Sequence, residues 1–94
     1  MFQENGLDRT GEDIESMRFL LKGVIQALVD SQDNVAVEAV SDVAGTVLLI
    51  SVAPADLGKV IGKQGRTARS LRTILSAASM KIGHRFSMDV REAV

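Results

Sequence analysis

A chain of 94 residues, 46% apolar and 24% charged, is long enough for one globular domain and too short for two. It has no cysteine and one histidine, His84, which excludes disulfides and thiolate metal sites, leaves zinc almost no ligands, and offers acid-base catalysis a single group that titrates near neutrality. The net charge of −1 hides a segregation: residues 1–56 set three bases against ten acids, a net of −7, whereas residues 57–88 carry seven bases and no acid.

No apolar run approaches the roughly 18 residues a membrane span needs, and the start of the chain lacks a basic stretch leading into an apolar one, so a cytoplasmic protein is expected. Residues 1–13 are polar, rich in acids and without periodicity, which predicts a flexible acidic N-terminal tail ahead of a domain over 14–94. Thr10-Gly11-Glu12-Asp13 offers a capping signal, and Ile14, Met17, Leu21, Val24, Ile25 and Leu28 share one stripe at about 100° per residue, predicting an amphipathic helix over 14–30. Phe19 lies off that stripe, as a lone exposed residue or a partner surface.

Val35, Val37 and Ala39 alternate with their neighbours as a strand does, and Ser41-Asp42-Val43-Ala44-Gly45 supplies turn chemistry. Thr46–Val52 is almost continuously apolar and β-branched, as expected of a strand covered on both faces or lying at a subunit contact. Pro54 suits a first helical turn and Asp56 complements its dipole, predicting a short helix over 54–61. Ala68, Leu71, Leu75, Ala78 and Ile82 share a face of a third helix over 66–82, with Arg66 and Arg69 opposite and Arg72 on the flank. Gly83 ends it in a left-handed cap, and Phe86, Met88 and Val90 alternate in a last half-buried strand.

Gly62-Lys63-Gln64-Gly65 joins the second helix to the third with two glycines three apart and a cation between them. Glycine admits backbone conformations closed to other residues and lets a sugar-phosphate chain come close. The helix starting near Arg66 presents unpaired N–H groups and the positive end of its dipole, and Lys63, Arg66 and Arg69 extend that field, so the junction favours an anion. A nucleotide P-loop is excluded by spacing, since it needs four residues between its first glycine and the Gly-Lys pair whereas three lie between Gly58 and Gly62, and Gln64 follows Lys63 where Ser or Thr is required. A dinucleotide fingerprint fails because position 60 is Val and no strand leads directly into the loop.

The segment Asp56-Leu57-Gly58-Lys59-Val60-Ile61-Gly62-Lys63-Gln64-Gly65-Arg66-Thr67-Ala68 resembles the KH signature, and most closely the small stand-alone bacterial KH proteins of the KhpA type. The resemblance spans about residues 14–92 and implies an α+β fold: a type II KH domain ordered α-β-β-α-α-β, with its helices packed on one face of a three-stranded sheet. It implies that Gly62, Lys63, Gln64 and Gly65 clamp the backbone of about four nucleotides of single-stranded RNA while Ile61 lines the base groove. It also implies a post-transcriptional regulator or RNA chaperone connected with cell shape and division. The partners so implied are a second copy or a larger KH-domain RNA-binding protein of the KhpB type.

Two features depart from the family pattern: Ala68 stands where many KH domains carry a larger aliphatic residue, and the resemblance offers no role for the acidic tail. Four functions are compatible with a chain of this kind: RNA binding without catalysis or cofactor, a KH-fold protein-interaction module, an enzyme, and a reader of double-stranded DNA. No nucleophile-base pair supports the third and no helix-turn-helix the fourth.

Overall fold

The computed structural model describes residues 10–93. Helix α1 (Thr10–Leu28) leads through a 3₁₀ turn at Gln32–Asn34 into the hairpin β1 (Ala36–Asp42) and β2 (Gly45–Val52). A 3₁₀ turn at Pro54–Asp56, the five-residue α2 (Leu57–Ile61), a second turn at Lys63–Gly65, α3 (Arg66–Ile82) and β3 (Phe86–Glu92) complete the order. This is the predicted α-β-β-α-α-β succession. Helix α1 starts at Thr10, so residues 10–13 are helical where a tail was expected, and residues 1–9 of that expected tail lie outside the described residues.

The sheet runs β1-β2-β3, with β1 antiparallel to β2 and β3 parallel to it, so β3 is an edge strand. Strand β2 alternates strictly: Thr46, Leu48, Ile50 and Val52 are buried under the helices, while Val47, Leu49 and Ser51 are half-exposed on the other face. Its apolar run therefore does not report cover on both faces. The helices occupy one face only. Strand β1 continues through Ser41 and Asp42, and the turn shrinks to Val43-Ala44 because the Asp42 carboxylate accepts the Ala44 N–H at 2.8 Å.

The core is one layer thick. Ile25 of α1, Leu48, Ile50 and Val52 of β2, and Val60 of α2 are fully buried, and Leu71 and Leu75 of α3 close over them with Phe86 and Met88 of β3. From α1 the predicted stripe supplies Met17, Leu21 and Ile25; Val24 falls at its margin and is 37% exposed, and Phe19 is 77% exposed. Gly83 closes α3 at φ 81° and ψ 24°, the left-handed cap its position predicts.

Candidate nucleic-acid interface

A five-residue helix is too short to persist without tertiary support, so the placement of α2 depends on its base. There Asp56 is buried and accepts the backbone N–H groups of Ser31 at 2.9 Å and Asp30 at 3.2 Å, tying the corner after α1 to the start of α2. The bond from Ser31, chiefly, holds the Asp56 carboxyl below the ordinary aspartate range despite its burial. It stands at the N-cap of α2, where the sequence expects a partner for the helix dipole, and makes no side-chain cap bond there. Lys59 sits 3.3 Å from Asp30 and 3.5 Å from Asp56, and the Asp30 carboxylate in particular raises its pKa. Lys59 is thereby withdrawn from the basic block.

At the far end of α2 the chain turns within four residues. The Gly62 N–H closes α2 on the Gly58 carbonyl at 2.8 Å, and the Gly65 N–H donates back to the Gly62 carbonyl at 3.0 Å. Gly62, Gln64 and Gly65 all have positive φ, at 79°, 57° and 75°. Arg66 donates to the Gln64 side-chain oxygen at 3.2 Å and Arg69 to its carbonyl at 3.4 Å, bracing the turn. No side chain caps the first turn of α3 at Gly65, which leaves the positive end of a 17-residue helix facing the loop.

Beside the loop lies a cleft of about 520 Å³ between the end of α2, the first half of α3 and the second half of β3. Ile61, Gly65, Ala68, Arg69, Arg72, Asp89 and Val90 line it. Of the residues singled out in the sequence, Ile61, Gly65 and Arg69 thus border the cleft, and Ile61 is 38% exposed there. Lys63 and Gln64 form the exposed crest of the loop, Gly62 its half-buried root, and Arg66 lies exposed on the first turn of α3. Ala68 is buried at the floor. Among the described residues no ion pair engages Lys63, Arg66, Arg69 or Arg72, and no cluster of metal-ligating side chains occurs.

Sequence reasoning left Arg72, Asp89 and Val90 out of the site. Arg72 follows Arg69 by three residues and so shares its side of the helix, a usable signal. Nothing local marks Asp89 and Val90, because what brings them to the cleft is the position of β3 at the sheet edge.

Element order, mixed sheet and an exposed Gly-x-x-Gly turn between two helices define a type II KH domain. A family model described as KhpA/KhpB, KH domain, matches residues 18–90. Curated relatives named RNA-binding protein KhpA are 42% identical over 74 residues in Clostridium acetobutylicum, covering 79% of this chain and 99% of the relative, and 42% over 79 residues in Aquifex aeolicus, covering 84% and 100%. A third, in Streptomyces coelicolor, is 48% identical over 63 residues, covering 67% of this chain and 75% of the relative. The chain belongs to the KhpA/KhpB family of KH domains.

Proposed function

We propose that this chain is a non-catalytic RNA-binding protein that clamps about four nucleotides of single-stranded RNA, with Gly62, Lys63, Gln64 and Gly65 against the backbone and the bases in the cleft beyond Ile61. The observation that carries this reading is the exposed loop itself: bare main chain, Lys63 and an uncapped helix start meet at the mouth of a cleft where Arg69 and Arg72 form no ion pair and outnumber Asp89, the one acid of the lining. Relatives of similar length bear the name of RNA-binding proteins, which supports it. The action of a single short clamp on RNA suits a post-transcriptional regulator or RNA chaperone, which holds a transcript without cutting it. Lys63→Asp combined with Gln64→Asp reverses the charge on the crest without touching the core. The pair should abolish ultraviolet crosslinking to RNA while circular dichroism and melting stay near wild type; undiminished RNA recovery would reject the loop as the contact.

A second reading, dimerisation with another copy or with a larger KH-domain relative, is favoured by one feature. Leu20 (58% exposed) and Val24 (37%) of α1 face Ile74 (59%) of α3 across an apolar seam on the helical layer. The two readings are compatible, since the seam and the cleft use opposite flanks of α3.

A further inference from the structure

The cleft beside the loop does not end at Arg72. A second cleft of about 390 Å³ begins at that same side chain and continues between the later turns of α3 and the first residues of β3, bordered by Ser76, Met80, Arg85, Ser87 and Met88. Because α3 and β3 run in opposite directions along this seam, the two clefts form one track from the glycine loop toward the end of the helix. We propose that the bound strand follows it: the first cleft holds the four-nucleotide core and the second takes further nucleotides, with Arg72 at the junction and Arg85 at the far end meeting their phosphates. The inference rests on the RNA reading of the loop and extends it.

Three observations carry it. The first is charge: Arg69, Arg72 and Arg85 border the two clefts against one acid, Asp89, and among the described residues neither Arg72 nor Arg85 has an ion-pair partner. The second is hydrogen bonding along the open edge of β3. The Arg85 carbonyl accepts the Thr46 N–H at 2.8 Å and the Ala93 N–H donates to Val52 at 2.7 Å, so residues 85, 87, 89, 91 and 93 face β2. The alternate residues therefore face outward. Phe86 is satisfied by the Ser79 hydroxyl at 2.8 Å, but Met88 and Val90 turn free peptide groups to the two clefts. The third is apolar cover: Met80 is 85% exposed at the rim, a flexible thioether suited to lie against a base face.

The size fits a short extension. Residues 85–88 span about 10 Å at strand spacing, and nucleotides in a strand advance at least about 3.4 Å each, which gives room for no more than about three. A protein strand could also pair with the β3 edge, yet two unpaired arginines on the track favour a polyanion over a peptide.

The test titrates the purified chain with fluorescein-labelled random-sequence RNA tetramers and octamers, following anisotropy at several salt concentrations. The slope of log affinity against log salt is read, because an octamer gains affinity merely from offering more registers. For wild type the octamer slope should exceed the tetramer slope by about 0.7 or more, the value of one added phosphate contact on a single strand. Arg85→Gln should remove that excess and leave the tetramer unchanged. Ser76→Glu, which places a carboxylate in the second cleft from an exposed helix position, should do the same if Arg85→Gln disturbs the fold. Arg91→Gln removes an equal charge from the same strand at a position that borders neither cleft and should change neither slope. Equal slopes for the two lengths, as a peptide-binding edge would give, or an Arg91→Gln loss matching that of Arg85→Gln, would overturn the extension. The loop double variant separates the two claims: if it loses tetramer and octamer alike while Arg85→Gln changes nothing, only the extension fails, and if it keeps the tetramer, the clamp itself is wrong.

Discussion

Gly62 turns the chain at φ 79° and ψ 169°, a combination essentially confined to glycine. A Cβ there would also lie 2.7 Å from the Thr67 Cβ and 2.8 Å from its backbone nitrogen. Gly65 has left-handed φ as well, at 75°, but open space lies around its missing side chain. The two glycines should therefore respond differently to alanine. Gly65→Ala meets only the left-handed cost of about 1–2 kcal/mol. Gly62→Ala adds steric overlap to a backbone cost of about 1–3 kcal/mol and should lose clearly more stability in urea unfolding; equal losses would show that the Thr67 contact does not constrain the loop. The two glycines and Lys63 were legible in the sequence because their spacing is itself the signal. The left-handed backbone of Gln64 was not, since Gln carries none of the short-side-chain tolerance that marks Asn or Asp for such a site.

Helix α2 shows the limit of local pattern at the scale of elements. The third helix was readable end to end, from Arg66 to the cap at Gly83, because 17 residues give several turns of periodicity and a glycine stop. Five residues give α2 barely one turn, and the side chain that anchors it, Asp56, finds its partners 25 and 26 residues back along the chain. Its carboxylate pKa is lowered below the ordinary 3.8. The stabilisation is therefore full above the unfolded-state value and disappears as pH falls through the lower folded value. Asp56→Asn keeps one acceptor for two N–H donors and loses the charge facing Lys59. At neutral pH the melting temperature should drop on the order of 5 °C. The gap between wild type and variant should narrow below about pH 4, as wild-type Asp56 takes up its proton. A gap that stays constant down to pH 2 would remove the carboxylate form from the account.

At the scale of the molecule, α3 serves two surfaces. Along its axis each residue advances about 100°, which sets Arg72 and Ile74 on opposite flanks of the buried Leu71–Leu75 line. Arg72 borders the two clefts of the proposed RNA track and Ile74 the apolar seam with α1. The sequence made the buried line visible but could not say which flank meets a neighbouring helix and which an open strand edge, because that follows from the β1-β2-β3 order. A clamp on about four nucleotides with two or three phosphate contacts binds weakly and with a shallow salt dependence. Joining two copies at their seams would leave both tracks open and convert the second engagement on one transcript into an intramolecular step, a gain that can reach about 10²-fold or more without any new contact. Ile74→Asp places a charge in the middle of the seam, away from the track. Sedimentation velocity should find wild type dimeric without RNA at tens of micromolar and the variant monomeric. Anisotropy should then show the variant losing at least about tenfold on an RNA long enough to span two tracks while matching wild type on the tetramer. A wild-type chain that sediments as a monomer without RNA would assign the seam to a different partner and leave the affinity of the single track to stand alone.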